Sequence, residues 1–237
     1  MNALRTVRPE ILDELAPEDP RAERARSDLR RINRIMRSAA HLERALRPLA
    51  RRESQAPLRL LELGAGDGTL MLRLARRLAP ERAGAELTLL DRHVLLAPAT
   101  AAAFERLGWR VRALRADVLE WTRAACTERW DAIVANLFLH HFAPASLTAL
   151  LAAVAARAPL FVACEPRRSA LSLSASHLLR AIGASRVTRH DAVASVHAGF
   201  RDAEISACWP RQAQWALDER RGGAFCHLFC AQYVSLR

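Results

Sequence analysis

The stretch Leu58–Ala79, "LRLLELGAGDGTLMLRLARRLA", decides the fold. An apolar strand runs into a glycine-rich turn, and the turn opens into an amphipathic helix. Three of the chain's nine glycines, Gly64, Gly66 and Gly68, fall within five residues, so the turn exists for close backbone approach to a ligand. A triphosphate loop is excluded, because no Gly-Lys-Ser/Thr follows. A dinucleotide turn needs G-x-G-x-x-G, and Thr69 stands where the third glycine belongs. Glu62, just ahead of the turn, would also face an incoming pyrophosphate. A carboxylate there suits a ligand that is cationic instead.

Outward from this stretch, strands are predicted at 58–63, 86–91, 109–115, 130–136 and 159–164, with helices at 68–79, 94–106 and 145–157. Short strands separated by helical spans give right-handed β-α-β units and a parallel sheet. Residues 1–20, with three prolines and mixed charge, read as an irregular arm. Apolar residues at Ala22, Ala25, Leu29, Ile32 and Met36 mark one helix face. Ser38 is placed as the cap of a second helix carrying Leu42, Leu46 and Leu49. After Pro166 the segments 168–182 and 189–198 read as helices, the second started by a Thr188–Asp191 capping box and ended by Gly199. The tail segments "AEISACWP", "QWALDE" and "AFCHLFCAQYV" read as β-structure, with Gly222 and Gly223 in a hairpin turn.

The 237 residues, 51% apolar, suffice for one compact unit with a substantial core. No unbroken apolar run reaches the roughly 18 residues of a spanning helix. The opening residues carry acids and lack the apolar core of a secretion signal, so the expected compartment is the cytoplasm. The cysteines at 126, 164, 208, 226 and 230 match no zinc or disulfide spacing, and Cys226 and Cys230 share one strand face as buried thiols. The formal charge is +11, and all 36 basic residues are arginine. Residues 21–52 hold a net +8 of that excess. Such a segment is either a solvated helix face or an electrostatic footprint for a partner.

"LLELGAGDG" resembles the first motif of the class I S-adenosylmethionine-dependent methyltransferases. The resemblance implies that Glu62 serves the methionine ammonium end and that Gly64 and Gly66 let the backbone approach the cofactor, with Ala65 and Gly68 completing the turn. It implies a ribose acid at the end of the second strand, matched by Asp91 with Arg92 beside it. It implies an acid and a backbone amide near the adenine, matched by Asp117 and Val118; Asp117 also reads as a plain helix cap before "VLEW". The fourth strand then opens onto the methyl-transfer face at Asn136. The run "WDAIVANLFLHHF" resembles small-molecule enzymes of the ubiquinone/menaquinone C-methylase-like group.

The fold class this implies is α/β: a Rossmann-like, doubly wound, mostly parallel seven-stranded sheet with an antiparallel C-terminal strand. Residues 1–54 would be an arm and helical lid, and 55–237 the methyltransferase domain, with 166–200 as a substrate cap. The cofactor is S-adenosylmethionine, leaving as S-adenosylhomocysteine, and no metal is expected. The fourth strand lacks the prolines and aromatic of an (N/D)-P-P-(Y/F) motif, which weighs against methylation of base or amide nitrogens.

A phenolic acceptor is poorly ionised at neutral pH, so a base helps. His140 and His141 sit just past the fourth strand. His190 and His197, seven apart, share a face of the later helix. All four are candidates, set against packing, capping or a wet outer face. Arg167 and Arg168 could hold an anionic group, or simply lie at the surface.

The expected reaction is methyl transfer to oxygen or activated carbon of a small aromatic, quinone-like or polyketide-like molecule. An RNA methyltransferase using 21–52 and a non-catalytic cofactor-binding protein are the alternatives. A single tyrosine and 5% aromatic content weigh against nucleic acid. A homodimer is compatible with the sequence.

Overall fold

The computed structural model describes residues 4–82, 84–125 and 127–234. Cys126 lies outside them. A short helix α1 (Ile11–Glu14) and two longer ones, α2 (Pro20–Ile35) and α3 (Ser38–Ala50), precede β1 (Leu58–Leu63). Then follow α4 (Thr69–Leu78), β2 (Ala85–Asp91), α5 (Pro98–Glu105), β3 (Trp109–Arg115), α6 (Val118–Arg123), β4 (Ala132–Asn136), α7 (Pro144–Ala155) and β5 (Leu160–Pro166). The chain closes with α8 (Ala170–Leu178), α9 (Arg186–Ala198), β6 (Trp215–Arg221) and β7 (Cys226–Tyr233).

The seven strands form one sheet in the order β3-β2-β1-β4-β5-β7-β6. β1 to β5 are parallel, and β7 pairs antiparallel with both β5 and β6. This is the Rossmann-like, mostly parallel seven-stranded sheet expected from the sequence. The order reverses at β1 and β4, and in such sheets the crevice beyond the strands' carboxyl ends receives the ligand.

Side chains alternate across β1 with the strand period of two. Leu58 and Leu60 join one apolar layer with Leu42, Leu46, Leu74 and Phe104. Leu61 and Leu63 join the other with Trp121, Leu150, Phe161 and Phe229. α3 therefore packs on the sheet and belongs to the core layer; α2 and the arm cover the crevice. Leu42 and Leu46 are fully buried, each worth about 1.5–3 kcal/mol. Among the described residues no helix is long and apolar enough to cross a membrane.

Four expectations are corrected. Ser38 does not cap α3: the preceding Arg37, with φ 57°, holds that position, and Ser38 Oγ instead donates to Asn33 Oδ1 at 3.0 Å. α9 starts at Arg186, because Ser185 accepts from the Thr188 amide at 3.1 Å and so caps it three residues earlier. The segment 203–210 is a turn with a 3-10 helix at Ser206–Cys208, because Glu219 ties down the amides of Ile205 and Ser206. The arm is not wholly irregular: Asp191 accepts from the amides of Ile11 and Leu12 at 2.8 and 3.0 Å and thereby starts α1. Asp117 does cap a helix, and that helix, α6, runs for six residues. Cys164 and Cys226 are buried free thiols, with Cys208 and Cys230 half-buried.

Candidate active site

A cavity of about 850 Å³ lies over the carboxyl ends of β1 to β5. Its floor carries Gly64, Gly66, Asp91, Asp117 and Phe138, each at or just beyond a strand end. Its cover is the arm from Val7 to Pro17, α2, α8 and α9.

The glycine turn is shaped for approach. Gly64 has φ +66°, and a Cβ there would sit 2.2 Å from the Phe138 ring. Gly66 has φ +54°, and a Cβ there would meet nothing within 4 Å, so its open side faces the cavity. Gly68 serves the fold: its φ of +71° lets it cap α4, against Leu89. Asp91 accepts from the Gly66 amide at 2.9 Å and from the His93 amide at 3.0 Å, fixing the turn against β2. Asp117 caps α6, both bonds falling on Oδ1, while the residue also lines the cavity beside Val118.

Glu62 shares the face of Leu58 and Leu60 and is fully enclosed. Its Oε2 has no hydrogen-bond partner among the described residues. Burial first, then the charges of Asp67 and Asp91, pushes its carboxyl well above the usual carboxylate range. A cationic ligand end would relieve that cost, so the orphaned oxygen fits an ammonium group.

Of the predicted cofactor residues, Glu62, Ala65, Gly68 and Asn136 do not line the cavity. Asn136 donates from Nδ2 to Asn33 Oδ1 at 3.0 Å, which ties β4 to α2. Arg92 does line it and pairs with Asp13 at 3.3 Å.

Beyond β4 the chain turns at Leu137, whose φ of 50° is costly for a side chain with a Cβ. That turn delivers Phe138, His140 and His141 to the cavity wall. His140 is buried between two carboxylates, with Nδ1 2.8 Å from Glu165 and Nε2 3.3 Å from Glu10. Burial alone would lower its pKa, but Glu10 and Glu165 together raise it to about 9. His140 is thus an imidazolium at neutral pH and has no lone pair to offer as a base. Glu165 holds it there while accepting the amides of Phe138 and Leu139 at 3.0 and 2.9 Å. His141 is partly exposed to the cavity, with Nδ1 3.0 Å from Asp13 Oδ2. Burial would raise the Asp13 carboxyl, but the hydrogen bond and charge of His141, aided by Arg92, hold it below its usual range.

His190 and His197 are not brought to the site. α9 meets the cavity with Thr188, Asp191, Ala192 and Ser195, while the His190 ring is more than half exposed. Arg168 is not a surface residue: it is buried against Glu204 and the Gly199 carbonyl. Sequence reasoning misses Glu10, Asp13 and Glu165. An acid closing the apolar run "LFVACEP" is the one available signal for Glu165; the arm acids carry none.

Residues 60–158 match the profile of a family described as a methyltransferase domain. A comparison with curated proteins returns no match. Among solved structures, the plantazolicin methyltransferase BpumL in complex with SAH is similar, with 13% identity over 91% of each chain and a TM-score of 0.63. Magnesium protoporphyrin IX methyltransferase from Synechocystis PCC 6803 with bound SAH gives 13% identity over 84% of this chain and 82% of that one, at 0.53. An O-methyltransferase family protein from Burkholderia thailandensis gives 19% identity over 92% of this chain, which spans 64% of that one, at 0.51. At these identities the likeness is one of fold.

Proposed function

We infer, from the premise that residues 60–158 belong to the methyltransferase domain family and use S-adenosylmethionine, that this enzyme methylates an oxygen of a small aromatic, polyketide-like molecule. The observation that carries the reading is the His141–Asp13 pair on the cavity wall.

The cofactor supplies a methyl group on a sulfonium, already activated for displacement. Glu62 would take its ammonium end, Gly64 and Gly66 its backbone approach, Asp91 its ribose and Asp117 with Val118 its adenine. The chain's remaining task is to align and deprotonate the acceptor. Asp13 holds the His141 ring by its Nδ1–H, which would leave Nε2 free to take the acceptor's hydroxyl proton. The arm and helices α2, α8 and α9 exclude water.

The lining favours an apolar acceptor. Leu29, Ile32, Met36, Phe142 and Phe225 face the cavity, and its mouth carries Ile35, Leu178 and Ile182 at 54%, 67% and 52% exposure. Exposed apolar side chains that continue a cavity mark a binding surface for apolar ligand. A panel of phenols, quinols and aromatic acids, incubated with enzyme and cofactor and read by mass spectrometry, tests this. Gain of one methyl group by a phenolic acceptor is expected. Methylation of RNA with no phenol modified would contradict it.

A further inference from the structure

We propose that Glu10, His140 and His141 form an inhibitory site for a zinc-class divalent ion, built between the N-terminal arm and the turn after β4. The binding half stands on geometry; the inhibitory half rests on the reading of His141 as the base.

Nothing in the transfer step uses Glu10 or His140, yet both are drawn deep into the site. Each histidine has its Nδ1 on a carboxylate: His140 on Glu165 at 2.8 Å, His141 on Asp13 at 3.0 Å. That outer arrangement fixes a metal-binding imidazole with Nε2 forward. Glu10, further held by the Ser195 hydroxyl, places Oε1 3.3 Å from His140 Nε2. Ligand atoms around a tetrahedral ion with bonds of ~2.1 Å sit about 3.4 Å apart. One donor atom from each of the three lies within 4.8 Å of the others, so a modest turn of His141 completes the set.

Two imidazoles and one carboxylate are a donor set that zinc takes, as does iron(II), and the near-tetrahedral spacing of Glu10 Oε1 and His140 Nε2 favours zinc. Three protein ligands leave a fourth position for water or an acceptor oxygen. On binding, two Nε2–metal bonds and one Oε1–metal bond form. The hydrogen bond between His140 and Glu10 breaks, and its proton leaves to solvent. The ion staples the arm, through Glu10, to the floor of the cavity, and it engages the lone pair with which His141 would take the acceptor proton.

Zinc chloride titrated against a chromophoric indicator into the chelator-stripped full chain is expected to bind as one ion per chain. Affinity is expected to fall by at least roughly tenfold in Glu10→Gln and His141→Gln, and to hold in His177→Gln, which removes an exposed histidine on α8. Cobalt(II) in its place should give tetrahedral visible absorption that Glu10→Gln abolishes. Methyl transfer should fall as zinc fills the site and return with chelator, and Glu10→Gln should lose this response whatever its own rate. Zinc binding indifferent to both substitutions overturns the site. Binding as expected with transfer undiminished overturns the inhibitory role, and with it His141 as base. Binding as expected in a chain that methylates no phenol at all upholds the site and overturns the acceptor reading instead.

Discussion

Glu62 sets burial against charge. Its carboxyl is enclosed, held above its usual range, and one oxygen lacks a partner among the described residues. Without a cationic ligand the neutral form is favoured; with an ammonium nearby the carboxylate is favoured. Cofactor binding should therefore release a proton. Calorimetry in buffers of different ionisation enthalpy checks this, and Glu62→Gln should abolish the release and weaken binding by roughly ten- to a hundredfold, the weight of a charge-assisted hydrogen bond of ~1.5–3 kcal/mol. Equal affinity and equal proton count in the two proteins would remove Glu62 from the cofactor site. The acid is legible in "ELGAGDG", because an isolated carboxylate at the end of an apolar strand has few structural uses. His140 is legible as a site residue and not as to its role. Its protonation is set by Glu10, 130 positions away, together with Glu165, 25 positions away, and no local pattern records contacts across those separations.

At the scale of elements, the arm and α9 hold each other over the cavity. Asp191 starts α1, and Arg5 donates from Nε to the Ala198 carbonyl at 2.7 Å and from Nη2 to the His140 and Phe142 carbonyls at 3.0 and 2.9 Å. Arg5 also lies 4.5 Å over the Phe200 ring. Removing these bonds with Arg5→Ala should leave the sheet intact and free the arm, raising KM for the acceptor and exposing residues near Val7 to protease. A protease pattern unchanged from the wild type would show that the arm is held elsewhere. Gly199 is the second joint. A Cβ there would stand 2.4 Å from the Pro166 carbonyl oxygen, closer than real contacts allow. Gly199→Ala should cost about 1–3 kcal/mol in denaturant unfolding; a cost near zero would mean the junction yields easily. The start of α9 is misleading in the sequence for a local reason. "RHDAV" offers Thr188 and Asp191 as a cap, but Ser185 takes that role, leaving the Asp191 carboxylate to the arm.

Across the whole molecule, the sheet is legible because strand and helix periods alternate cleanly from Leu58 to Cys164, and local pattern and tertiary packing agree there. The cover is less legible: the arm has no period of its own and forms only against α9. The basic segment is partly answered within the chain. Arg30 pairs with Asp67 at 2.7 Å, Arg51 with Glu81 at 2.8 Å, and Glu43 with Arg77 at 2.7 Å and with Arg47.

Acid stability is a property of the same scale. Glu219 ties β6 to β7 through His227 at 2.7 Å and to the 205–206 amides. Burial would raise its carboxyl, but His227, Ser206 and Ile205 hold it below the ordinary 4.5. The stability it contributes is therefore present above about pH 4.5 and lost as pH falls through the lower folded value. In thermal unfolding across acid pH, the gap between wild type and Glu219→Gln should narrow below that point. A gap constant with pH would contradict the sign.

The transfer chemistry comes to one measurement: the single-turnover rate of methyl transfer to a phenolic acceptor, in wild type and His141→Gln, with cofactor affinity read on the same preparations. The expected result is a rate lowered by about 10²–10⁴-fold at unchanged cofactor affinity. A His141→Gln rate equal to the wild type's would contradict His141 as the base.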